Sequence, residues 1–136
     1  MTGMDEQGMD LTGARILIVD DVSANLDVLA EALEEAGYEI SVAPSGEVAL
    51  MNAGATQLDL ILLDVVMPGM DGYETCRRLK AAPETRDVPV LFITARAETE
   101  GVVEGFAAGG VDYIVKPFRK EEVLVRVQTH LEKARL

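Results

Sequence analysis

Five short apolar runs, spaced by longer amphipathic segments, constrain this chain more than any other feature. They are RILIV (15–19), EISVA (39–43), LDLILL (58–63), VPVLFI (88–93) and VDYIV (111–115). Each is apolar on consecutive rather than alternate positions. A strand with one wet face must alternate, whereas a strand covered on both faces need not. The runs therefore predict strands of a parallel sheet buried on both sides. Between them the spacing is helical. Leu26, Leu29, Leu33 and Ala36 mark one face that stops at Gly37, a residue suited to ending a helix. A second helix begins around Val48, Ala49 and Leu50, and a third carries Tyr73, Cys76, Arg77 and Leu79 and stops near Pro83. A fourth runs from about Glu98 to Ala108. The fifth shows a stripe of Val123, Leu124, Val127, Leu131 and Ala134, with Arg126, Glu132, Lys133 and Arg135 outside it. Five strands alternating with five helices predict one α/β domain over 14–136. Residues 1–13, MTGMDEQGMDLTG, read as a flexible acidic leader.

Charge narrows the function. A formal net charge of −12 repels nucleic acid and anionic membrane surfaces, so any DNA contact has to come from another domain or subunit. It suits cations and basic partners instead. The single cysteine, Cys76, excludes an internal disulfide and a multi-cysteine zinc site. No apolar run approaches the ~20 residues needed to span a bilayer. The N-terminus has no basic region and no apolar stretch of the kind a signal peptide needs, so a cytoplasmic, soluble protein is expected.

In parallel α/β sheets, chemistry gathers at the carboxyl ends of the strands. Here those ends carry Asp20 and Asp21, then Asp64, then Thr94, then Lys116 followed by Pro117. Each has a plain structural explanation when taken alone. Asp20 or Asp21 suits a helix cap, Asp64 suits the turn MPGMDG, and Thr94 and Lys116 suit a strand end and a surface. Their joint placement at four strand ends argues for a site. Adjacent carboxylates repel, and Mg²⁺, held by one or two carboxylates, supplies the charge that keeps them ionised. A carboxylate nucleophile beside that metal accepts a phosphoryl group as an acyl phosphate. Lys116 would neutralise charge on the group and the Thr94 hydroxyl would bond one of its oxygens. Charge alone does not say which aspartate is the acceptor.

The pieces ILIVDD, DLILLDVVMPGMDGYE, PVLFITA and DYIVKPF stand in an order and spacing that closely resembles the receiver domain of bacterial two-component response regulators. The resemblance covers roughly 14–135 and implies a doubly wound (βα)5 sheet of flavodoxin-like order 2-1-3-4-5. It makes Asp64 the phosphoacceptor and Asp21 a direct Mg²⁺ ligand. Asp20 would act mostly through a water, and the backbone carbonyl of Val66 would be a further ligand. It pairs Lys116 with the acceptor or its phosphate, makes Lys116–Pro117 cis, and makes Thr94 and Tyr113 a switch pair. The implied partners are a sensor histidine kinase or phosphotransfer protein and an output domain or protein that the sequence does not identify. A switching face of helix four, strand five and helix five follows. Glu98, Glu100 and Glu104 opposite Arg119, Lys120 and Arg126 suggest an activation-dependent homodimer there.

Further expectations come from variable positions. Val66 and Arg96 do not obviously position water, which implies slow loss of phosphate. AAGG (107–110) implies a fourth helix that ends early and is the most mobile part of the switching surface. His130 reads as a polar residue near a helix end, not as a phosphohistidine. The competing reading is a Mg²⁺-dependent aspartyl-nucleophile phosphatase. It calls for a second acid two residues past the nucleophile, where this chain has Val66 or Val22.

Overall fold

The computed structural model describes residues 10–95 and 99–135. The chain runs β1 (Arg15–Val19), α1 (Ser23–Glu35), β2 (Glu39–Ala43), α2 (Gly46–Ala53), β3 (Leu60–Asp64), α3 (Gly72–Ala81), β4 (Val90–Thr94), α4 (Thr99–Ala107), β5 (Asp112–Val115) and α5 (Lys120–Arg135). The five strands form one sheet in the order β2-β1-β3-β4-β5, every neighbouring pair parallel. This is the order the resemblance implied.

Alternation along each strand divides the core into two layers. Leu17, Val19, Ile61, Leu63 and Phe92 pack with Ala49, Tyr73, Cys76 and Leu79 of α2 and α3. Ile16, Ile18, Leu60, Leu62, Leu91 and Ile93 pack with Leu26, Leu29 and Leu33 of α1 and Val123, Val127 and Leu131 of α5. Successive side chains of a strand point to opposite faces, so one strand feeds both layers. Truncating a fully buried Leu or Ile here costs about 2–5 kcal/mol through lost transfer energy and the cavity left behind.

Burial on both faces holds for β3 and β4 throughout, and for β1 past Arg15. It fails at the edges. In β2 only Ala43 is buried, and in β5 only Ile114. An edge strand has one hydrogen-bonded neighbour and partial helical cover, a position that an apolar run does not reveal. Ala134, placed in the α5 stripe, is exposed. Two residues of the stretch read as a leader, Leu11 and Gly13, are tied to the fold. Residues 1–9 lie outside the described residues, but Leu11 is buried in the α1/α5 layer and the Gly13 amide donates to the Gly37 carbonyl at 2.9 Å. Leu11 is an isolated apolar residue in a polar stretch, which hid its role.

Helix ends follow local chemistry. Ser45 and Asp71 cap α2 and α3, accepting from the Val48 and Glu74 amides. After α1 the backbone at Gly37 takes φ +98°, where a side chain would be strained. α4 ends at Ala107, the first residue of AAGG. Among the described residues, no helix is long and apolar enough to cross a membrane.

Candidate functional site

Because all five strands run the same way, their carboxyl ends share one rim, and β1, β3 and β5 deliver their terminal polar residues there. Carboxylate oxygens of Asp20, Asp21 and Asp64 lie within 4.8 Å of one another. Asp20 and Asp64 are buried, while Asp21 is exposed. Lys116 Nζ donates to Asp20 Oδ2 at 3.1 Å and to Asp64 Oδ2 at 3.2 Å. Its peptide bond to Pro117 is cis, and its own amide donates to the Thr94 carbonyl at 2.9 Å. Three carboxylates thus face one ammonium.

Neither aspartate caps α1. Its N-cap is Val22, with no side-chain bond, although Asp20 Oδ1 accepts from the Val22 amide at 2.9 Å. Burial, then repulsion from Asp20, raises the Asp64 pKa, and Lys116 only partly offsets this. Burial pulls Lys116 down, but its bonds and attraction to the two carboxylates outweigh that and hold it above its ordinary value.

The donor set fits the metal that the sequence implied. Magnesium takes oxygen ligands at ~2.1 Å, which places ligands within ~4.2 Å of one another. Three carboxylate oxygens within 4.8 Å need only a small rotation, or one intervening water, to reach that spacing. Val66 extends the turn beyond Asp64, its side chain half-exposed and its amide 3.4 Å from Asp64 Oδ1. Arg96, the other residue invoked for slow hydrolysis, lies outside the described residues.

Thr94 is fully buried at the end of β4, next to β3 on one side and paired with Val115 on the other. Tyr113, in β5, is half-buried. Its ring packs against Phe92 and Phe106 with centroids 5.2 and 5.9 Å away. The proposed switch residues therefore lie in the layer of α2, α3 and α4.

Two supports escaped the sequence. Asn25, in the first turn of α1, donates to Asp20 Oδ2 at 3.2 Å and orients it. A polar residue one helical turn beyond paired aspartates was the only available signal. Gly72 opens α3 so close to β3 that an added Cβ would lie 2.2 Å from the Asp64 carbonyl oxygen. The second glycine of MPGMDG thus sets the position of the third carboxylate's own backbone.

Three of the six charges proposed for a homodimer already have partners within the chain. Arg126 binds Asp112 at 2.8 Å, Lys120 lies 3.9 Å from Glu35, and Glu104 lies 3.7 Å from Arg77. Glu98 lies outside the described residues. Pairing across a two-fold axis would exchange these contacts rather than add to them. His130 is largely buried and bonded to Asp112 at 2.9 Å, so a carboxylate partner, not the helix end, accounts for it.

A family model described as the response regulator receiver domain matches residues 16–128. Over 116 residues the chain is 43% identical to the response regulator PleD of Caulobacter vibrioides, covering 85% of this chain and 26% of that protein. It is 44% identical to the transcriptional regulatory protein YrkP of Bacillus subtilis, covering 88% of this chain and 50% of that one. It thus spans half or less of each of these two relatives. Among solved structures, the receiver domain of the sensor histidine kinase PA1611 from Pseudomonas aeruginosa superposes with a TM-score of 0.82 at 31% identity. The match covers 89% of this chain and 99% of that one, which holds a magnesium ion in its active-site cleft.

Proposed function

The chain belongs to the response regulator receiver domain family, and from that premise we propose that Asp64 accepts a phosphoryl group from the phosphohistidine of a sensor histidine kinase or phosphotransfer protein. The observation that carries this reading is the cluster of three carboxylates with Lys116 bonded to two of them. A carboxylate oxygen of Asp64 attacks phosphorus. The O–P bond forms as the P–N bond breaks, and the imidazole nitrogen leaves with the electron pair. Attack needs the ionised carboxylate, which burial and Asp20 oppose and Lys116 favours. Asp20, Asp21, Asp64 and the Val66 carbonyl would hold Mg²⁺, whose role is to neutralise charge on the transferring oxygens. Asn25 keeps Asp20 turned toward the cluster. Lys116 then pairs with the phosphoryl oxygens, and the Thr94 hydroxyl donates to one of them. Drawing Thr94 toward the phosphate changes the packing in front of Tyr113, which alters the face made by α4, β5 and α5. That face signals to an output domain or partner protein. A cytoplasmic location, where such kinases present their phosphohistidine, follows from this reading.

Acetyl phosphate with Mg²⁺ tests the assignment without a kinase. Intact-mass measurement should show one base-labile phosphoryl adduct, lost in EDTA and in Asp64→Asn. An undiminished adduct in Asp64→Asn refutes Asp64 as the acceptor.

A further inference from the structure

The hydroxyl of Tyr113 lies 2.8 Å from that of Tyr73 and donates to the Gly101 carbonyl of α4 at 2.5 Å. A phenol has one proton and a carbonyl cannot donate, so Tyr73 is the donor in the hydroxyl pair. A directed chain thus runs from α3 through Tyr113 into α4. Tyr73 is itself fixed, fully buried and edge-on to Phe92 with centroids 5.4 Å apart. The space for the Tyr113 ring is built by a missing side chain. A Cβ at Gly105 would stand 2.4 Å from Tyr113 Oη and 2.7 Å from its Cε2. These two hydrogen bonds reach α3 and α4, and the ring packs on Phe92 of β4 and Phe106 of α4.

We infer that Tyr73 is a positioning residue for Tyr113, its hydroxyl holding that ring in the inward seat cut by Gly105, so that α3 as well as the phosphoryl site sets the state of the switching face. The inference rests on reading Tyr113 as the switch residue. It goes beyond that reading because the hold is independent of phosphate. For Tyr113 to turn outward, it must release both Tyr73 and the first half of α4. The ring is then inward for much of the time before phosphorylation, and phosphorylation completes a bias that α3 has begun.

The chain has three tyrosines, so ring-ε ¹³C labelling gives three assignable signals. Spectra of wild type, Tyr73→Phe and Gly105→Ala are recorded without a phosphodonor and then with beryllofluoride and Mg²⁺. Without donor, wild-type Tyr113 should give a buried-ring signal. Tyr73→Phe, which keeps the ring and its packing, should shift the inward-to-outward ratio of Tyr113 about tenfold toward outward, the effect of losing one buried hydrogen bond. Gly105→Ala should expel the ring altogether. A Tyr113 signal unmoved in Tyr73→Phe, even with a lower melting temperature, overturns the inference, since a purely structural role lowers stability without moving that ring. An unmoved signal in Gly105→Ala also overturns it. Intact mass after acetyl phosphate is read on the same wild-type sample. If Asp64 takes no phosphoryl group while Tyr73→Phe still releases Tyr113, the phosphoacceptor assignment fails and the hold of Tyr73 on Tyr113 stands.

Discussion

Asp64 closes β3 and Asp112 opens β5, so the parallel sheet sets these two carboxylates at opposite ends. Asp112 receives two bonds from Arg126 at 2.8 and 3.0 Å, one contact with His130 at 2.9 Å, and the Tyr113 amide at 2.8 Å. Burial raises its pKa, but these partners outweigh burial and hold it below the ordinary range. Asp64 has a share of one lysine and one long amide contact, and stands beside two further carboxylates. Its pKa goes up. Two aspartates in one sheet therefore lie on opposite sides of the same electrostatic balance. A satisfied carboxylate fastens β5 to α5. An under-compensated one leaves a local excess of negative charge, and such imbalance is a recurrent mark of a working site.

The largest effect should come from Lys116. Lys116→Met leaves Asp20 and Asp64 facing each other without a cation and should lower stability in EDTA by about 3 kcal/mol, the low end for breaking a buried pair. Denaturant melts measure it, and a loss below ~1 kcal/mol would mean the carboxylates are already neutral. Next comes magnesium. At about one hundred times its dissociation constant, a ligand that binds only the folded state adds about 2.7 kcal/mol. Wild type and Asp112→Asn should both gain it, and Asp21→Asn should lose most of it. Equal gains in all three would move the metal away from the cluster.

Smaller, and opposite in sign, are the two asparagine variants in EDTA. Asp64→Asn relieves like-charge repulsion and should stabilise by about 1 kcal/mol, as expected where function opposes stability. Asp112→Asn should destabilise by about 1–2 kcal/mol, discounted because Arg126 is partly exposed. If both variants fall, Asp64 is a structural residue and the contrast between the two ends collapses.

The smallest effect is the pH dependence in EDTA. The Asp64 pKa is raised, so its contribution is full below the ordinary value of 3.8 and fades as pH rises through the raised one. The Asp112 pKa is lowered, so its contribution is present above 3.8 and fades as pH falls through the depressed value. Asp64→Asn should therefore flatten the stability curve above about pH 4, and Asp112→Asn should flatten it below. Melting temperatures between pH 3 and 7 separate the two limbs.

Much of this was legible in the sequence because it is local. Strand ends follow from apolar runs, and β1 and β2 fall on the residues read from the pattern. The rim cluster follows once the strands are parallel. What the sequence did not show is pairing at a distance. Nothing around Asp112 announces Arg126 or His130, and nothing in MPGMDGY says that the tyrosine hydroxyl meets another 40 residues on. The apolar run of β2 did not show its edge exposure either, and only the strand order implied by the resemblance put it at an edge.

The two-residue alternation that splits the core has a consequence for insertions and deletions. Asp64 shares the parity of Leu60 and Leu62, which face α1 and α5, whereas Thr94 shares that of Phe92, which faces α3. Tyr113 packs on that second face too. One residue added within β4 would turn Thr94 toward the layer opposite Tyr113, with every β4 side chain past the insertion reversed. Strand length in this molecule is thus a counted quantity, open to exchange of one apolar residue for another but closed to any change of odd number.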